Sequence, residues 1–315
     1  MKRVISLLPS ATEIVCALGA TELLVGVTHE CDYPAAALAL PRVTSARIDP
    51  SMSSTEIDRL VGEQLEETGS LYALDMDLVR RLEPDLVLTQ QLCTVCAVGY
   101  ATVHAAMRTL SAPPEVVNLE PRTIDEVFAS IGHVAALLGI ADRGDALVAR
   151  LRTELAAIEP PPAPPSVLLL EWLEPPFAAG HWMPALVEAA GARPVLHFDG
   201  THSRQVTWDA IEDEPFDVLA ISCCGFGVER AMFDVERSQR LAQLAMARPE
   251  LRVVVLDGNH YFSRPGPRLV ESARLLNAAL SGISPRDAQA SIKDPYRIVT
   301  ATSLRTIAGV PGHAS

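Results

Sequence analysis

Short apolar runs bounded by turn residues alternate along this chain with stretches whose apolar residues recur at helical spacing. Arg3–Leu8, Leu23–Val27, Asp85–Thr89 and Val116–Leu119 read as strands in the first half, and Ser166–Glu171, Phe216–Ser222 and Arg252–Leu256 in the second. Runs of this length and composition fit strands buried on both faces in a parallel sheet. Ile14–Leu18 reads as a helix opened by Ser10 and Glu13 at capping-box spacing and stopped by Gly19. Thr55–Gly62, Asp75–Leu82, Met183–Ala190 and Arg268–Leu280 read as further helices.

Between Thr123 and Ile158 the period is helical, with Ile124, Val127, Phe128, Ile131, Val134, Leu137 and Leu138 on one face. Leu147, Val148, Leu151 and Leu155 continue it after a break expected at Gly139–Gly144. The proline-rich run from Pro160 to Pro165 ends the helix and makes a stiff junction. The alternation predicts an α/β chain of two lobes. We place an N-terminal lobe at 1–122, a linking helical segment at 123–159, a C-terminal lobe at 160–281 and an extension of little periodicity at 282–315.

At 315 residues and 49% hydrophobic content, each lobe can bury a core of its own. The net charge of −13 is spread along the chain, which argues against nucleic acid or an anionic membrane as partner. No apolar run approaches the ~18 residues of a spanning helix. A strand that starts at Arg3 leaves no room for a secretory leader, so the expected location is cytoplasmic. The six cysteines are then expected as thiols, metal ligands or redox groups rather than a disulfide framework.

Ligands of parallel α/β sheets gather outside the carboxyl ends of the strands, and two of the predicted strands run into thiols there. Asp85–Thr89 leads to Gln90 and the pair Cys93 and Cys96, while Phe216–Ser222 leads to Cys223 and Cys224. A Cys-x-x-Cys pair can give two thiolates to one metal, but a tetrahedral Zn or Fe–S site wants about four ligands. Cys31, Cys223 or Cys224 would have to complete it. Cys31 belongs to a polar cluster, Thr28–Pro34, that follows another strand. Cys16 reads as a packed core residue.

Aromatic residues collect in the same loops: Tyr33, Trp172, Phe177, Trp182, Phe226, Tyr261 and Phe262. Such rings suit a flat, extended ligand. His181, in Gly180–Met183, could be offered to a bound metal centre. His29, His197, His202 and His260 fall in no catalytic spacing, and neither common phosphate-cradling glycine loop is present. The residues point to a binding protein rather than an enzyme.

Arg3–Glu13 resembles the opening of the helical-backbone metal receptors, the class III substrate-binding proteins of metal-chelate transporters. Cys31–Pro34, Leu82–Val87, Pro175–Gly180 and Tyr261–Arg268 fall in the same order as landmarks of that family, and most resemble its cobalamin-binding members. The resemblance implies two Rossmann-like lobes bridged by a long backbone helix, with a metal chelate held between them. It also implies ligand contacts from Tyr33, Phe177 and Tyr261. With Ser10, Cys31, Gln90, Trp172, His181, Trp182 and Phe226 these form the expected ligand-binding set, and Cys93, Cys96 and Cys224 the candidate metal set. The expected ligand is a corrinoid such as cobalamin or another metal chelate. The alternative is a Zn, Fe–S or redox protein using the thiols. The family docks to ABC transporters through an acidic residue on each lobe. Asp77 falls near the first such position, but Ser263 stands at the second, which makes that docking doubtful.

Overall fold

The computed structural model describes residues 1–47, 52–68, 72–90, 99–288, 290, 291, 293–301, 303 and 304. The chain divides into two compact units: Met1–Pro121 with Asp125–Arg152, and Arg122–Ile124 with the chain from Thr153 onwards.

In the first unit the strands are β1 (Val4–Ser6), β2 (Leu24–Val27), β3 (Thr44–Ala46), β4 (Tyr72–Leu74), β5 (Leu86–Thr89) and β6 (Glu115–Asn118). The helices are α1 (Pro9–Ala17), α2 (Ser54–Thr68), α3 (Met76–Leu82), α4 (Tyr100–Met107), α5 (Ile124–Leu137) and α6 (Ala141–Ala156). Four strands form a parallel sheet in the order β2-β1-β5-β6, and β3 pairs antiparallel with β4. β1 and β5 are buried throughout, as their unbroken apolar runs require. Ile5, Leu7 and Val87 pack with Val79 of α3 and with Val103 and Met107 of α4.

α1 departs from the expected capping box. Its first residue is Pro9, Leu8 is the extended N-cap with no side-chain cap, and Ser10 and Glu13 are buried within the helix. Proline fits the first helical position because its missing N–H would have no partner there. Gly19 does stop the helix, at φ +67°. The helical stretch that follows β6 is two helices, separated at Leu138–Ile140 rather than at Gly139–Gly144. Gly144 instead lies inside α6, where a side chain is excluded because a Cβ would sit 2.5 Å from Cβ of Ala135 on α5. The predicted faces hold: Val127, Phe128, Ile131 and Val134 of α5 and Leu147 and Leu151 of α6 are buried.

The second unit contains β7 (Ser166–Trp172), β8 (Phe177–Ala178), β9 (Gly180–His181), β10 (Arg193–Val195), β11 (Phe198–Asp199), β12 (Arg204–Gln205), β13 (Val218–Ile221), β14 (Arg252–Leu256) and β15 (Tyr296–Thr300). Its helices are α7 (Met183–Ala189), α8 (Trp208–Asp213), α9 (Val228–Val235), α10 (Gln239–Ala247) and α11 (Leu269–Leu280). β7, β13 and β14 are parallel neighbours at the sheet's centre, with β10 and β8 beside β7 and β15 antiparallel on β14. β15 lies in the segment whose pattern assigned no element.

Candidate functional site

Each unit presents polar and aromatic side chains in the segments that leave the carboxyl ends of its parallel strands. In the first unit, β2 leads into Thr28–Pro34. Thr44 Oγ1 lies 2.7 Å from Thr28 Oγ1 and 2.8 Å from His29 Nδ1, and it accepts from the His29 amide at 3.0 Å. Burial, and then the positive charge of Arg42, lower the His29 pKa and keep its imidazole neutral at neutral pH. Tyr72 donates to Glu30 at 3.2 Å, and its ring centroid is 5.3 Å from that of His29. Cys31 is buried, with Sγ 3.0 Å from Thr12 Oγ1. Tyr33 is half-buried, Ser10 and Gln90 are buried, and Gln90 forms a backbone bridge to Gly99. Cys93 and Cys96 lie outside the described residues.

In the second unit the ends of β7 and β13 meet because the strands are adjacent. Trp172 and Phe226 lie with ring centroids 4.9 Å apart at 43°. The Arg230 guanidinium sits 4.1 Å from the Phe226 centroid and bonds the buried Asp234 at 2.9 Å. A tilted ring contact and cation–π attraction therefore both hold the Phe226 ring. Trp172 Nε1 donates to the Glu174 carbonyl at 3.1 Å, and Phe177, half-buried on β8, pairs with Trp172 across the strands. The Cys224 amide donates to the Glu171 carbonyl at 3.1 Å, so that half-buried cysteine belongs to the same strand-end group. Its neighbour Cys223 is fully buried, and burial pushes its thiol pKa far up.

Glu171 itself is half-buried. Its Oε1 accepts from the Gly180 amide at 3.1 Å, and its Oε2 accepts a short bond from Ser203 Oγ. Desolvation outweighs both bonds and raises the carboxyl pKa to about 7. Sequence reasoning missed this group, although a glutamate closing an otherwise apolar strand was a signal. It also missed Glu174, whose carboxylate accepts from Ser238 Oγ at 2.7 Å.

His181 and Trp182 follow β8, with Trp182 Nε1 donating to the Phe262 carbonyl at 3.2 Å. Tyr261 is fully buried, lies 5.2 Å from the Arg268 guanidinium, and accepts from Ser272 Oγ at its carbonyl. Before it, Asp257 caps the turn Gly258–Phe262 by accepting from the His260 amide, and its second oxygen meets His260 Nδ1 at 2.8 Å. The structure thus joins Trp172, Phe226 and Cys224 into one group, sets Tyr261 inside the core, and keeps Cys31 in contact with Thr12. Among the described residues, no three His, Cys, Asp or Glu side chains are placed to hold a metal ion.

Residues 4–258 match the family described as periplasmic binding protein. The chain belongs to that family. Its members are solute-binding proteins of the ABC-transporter type, not enzymes. The chain is 23% identical over 297 residues to a vitamin B12-binding protein of Pectobacterium carotovorum, covering 92% of each. Among solved structures it resembles the periplasmic heme-binding protein RhuT of Roseiflexus, with TM-score 0.64, 22% identity, and 89% of this chain and 98% of that one covered. It also resembles the vitamin B12-binding protein BtuF of Vibrio cholerae, with TM-score 0.58, 19% identity, and 90% and 98% covered. The α/β fold with parallel sheets in two lobes agrees with these relatives.

Proposed function

We propose that this protein is the binding component for a flat metal-chelate macrocycle, a corrinoid of the cobalamin type. The Trp172–Phe226 pair, backed by Arg230, carries the reading. Half-buried Trp172 offers aromatic area at the strand ends, where α/β proteins take ligands, and the buried Phe226 behind it holds that ring rigid, so little entropy is lost on binding. The half-buried Glu171 beside it, protonated for part of the time near neutral pH, can donate to an amide carbonyl of the kind that fringes a corrin ring. The Pectobacterium relative, a vitamin B12-binding protein along nearly its whole length, supports the same ligand. Heme is the second reading, favoured by the similarity to the Roseiflexus heme-binding protein.

Titration with cyanocobalamin and with hemin, followed by absorption and by heat, separates the two. The proposal expects saturable cobalamin binding at one site and weaker or no hemin binding. Replacing Trp172 by Ala should weaken binding by about 5–30-fold, the equivalent of ~1–2 kcal/mol for a buried aromatic contact. Saturable hemin binding without cobalamin binding would transfer the function to heme, and binding of neither would end the macrocycle reading.

A further inference from the structure

We propose that His181 and His202 form a two-imidazole site for a late first-row divalent cation such as Zn²⁺, Co²⁺ or Ni²⁺, its other coordination positions open to water. His181 Nε2 and His202 Nδ1 lie 3.2 Å apart, and the two rings are nearly perpendicular at 88°. Two nitrogens that share an ion at ~2.0–2.1 Å lie roughly 2.9–3.4 Å apart for bond angles between octahedral and tetrahedral. The observed separation falls within that bite. Imidazole is a preferred ligand of these metals.

The backbone holds both rings in place. His181 on β9 adopts φ +51°, a left-handed conformation uncommon outside glycine, and its amide donates to the Thr201 carbonyl at 2.6 Å. β9 pairs in register with β11, and the Gly200 amide returns a bond to the His181 carbonyl at 3.3 Å. Gly180 lets the strand press directly on the next turn, since a Cβ there would lie 2.3 Å from the Ser203 amide nitrogen and 2.6 Å from the His202 carbonyl carbon. The two histidines, 21 residues apart in sequence, are thus fixed by main-chain bonds on either side of the pair. Asp199, exposed on β11, lies with its carboxylate 3.2 Å from His197 Nδ1 and is not counted as a third ligand. His202 is exposed and His181 half-buried, so an ion can reach the pair from solvent.

In the metal-free protein one imidazole donates N–H to the other, which presets the spacing. Binding moves that hydrogen to the ring's other nitrogen and leaves both facing lone pairs for the ion, with no redox change. The pair adjoins the proposed macrocycle site, because its chain neighbours Gly180 and Ser203 both bond Glu171, and it is separate from the Cys-x-x-Cys pair.

The test is Co²⁺ and Zn²⁺ titration by calorimetry and by the Co²⁺ absorption bands, in full-length protein carrying C93S and C96S so that those thiols do not report. One ion per chain should bind, with imidazole N–H signals shifted by the paramagnetic Co²⁺ in proton NMR. His202→Ala and His181→Asn should each weaken it at least about tenfold, since losing a ligand costs no less than losing a group that merely orients one. Asparagine is chosen at 181 because it tolerates positive φ, and unchanged circular dichroism confirms that both variants fold. No saturable binding, or equal affinity in the parent and in both folded variants, would overturn the site.

Discussion

Glu171 carries a carboxyl group at the end of a strand whose preceding five residues are all buried, and it receives two hydrogen bonds without being fully compensated for lost water. Its pKa is raised from 4.5 to about 7 in the folded protein. Folding therefore takes up a proton at this residue between those two values. The stabilisation from the protonated form is complete below about pH 4.5 and is lost as pH rises through about 7. Glu171→Gln keeps the size and removes the titration. Thermal melts from pH 5 to pH 8 should show wild type losing ground steadily against E171Q; parallel curves would show that the carboxyl titrates normally. Trp172 and Phe226 were visible in the sequence as aromatic residues after apolar runs. Their contact was not, because it depends on β7 and β13 being neighbours. Glu171 was overlooked for a related reason: a charged residue after a strand reads equally as the chain's exit to solvent, and Ser203 lies 32 residues away.

At the scale of elements, α5 and α6 make opposite demands on two glycines. A Cβ at Gly132, within α5, would meet nothing within 4 Å, whereas one at Gly144 would collide with Ala135 at 2.5 Å. Gly132→Ala should stabilise the protein by about 0.5–1 kcal/mol, because alanine loses less backbone entropy in a helix. Gly144→Ala should destabilise it by ~1–3 kcal/mol through overpacking. Urea unfolding of the two variants checks the pair, and the same sign for both would mean that the helices do not cross there. The periodicity revealed the faces of these helices because 3.6-residue spacing is local. It misplaced the break because Gly144 looks like a helix breaker until its neighbour on α5 is known. The start of α1 shows the same limit: Ser10 and Glu13 have capping spacing, but Pro9 already occupies the first turn. β15 went unassigned because its burial is interrupted, with Arg297 and Thr300 exposed, and its partner β14 precedes it by some forty residues.

At the scale of the molecule, the net charge of −13 separates the candidate ligands. Hemin carries two carboxylates and meets a repelling field as it approaches, while cyanocobalamin is neutral overall and feels little of it. Raising ionic strength from ~0.01 M to ~0.15 M shortens the screening length from about 30 Å to about 8 Å. Cobalamin affinity should then change by less than about twofold, since aromatic stacking and amide hydrogen bonds are insensitive to screening at this range. Hemin association, where it occurs, should speed up several-fold as the repulsion is screened. Calorimetry at the two salt concentrations, with stopped-flow absorption for hemin, measures both. A cobalamin affinity that moves tenfold with salt would mean that a charged contact, not the Trp172 ring, dominates recognition. Because the acidic residues are dispersed rather than gathered in one tract, this prediction comes from the whole chain and not from any one of its side chains.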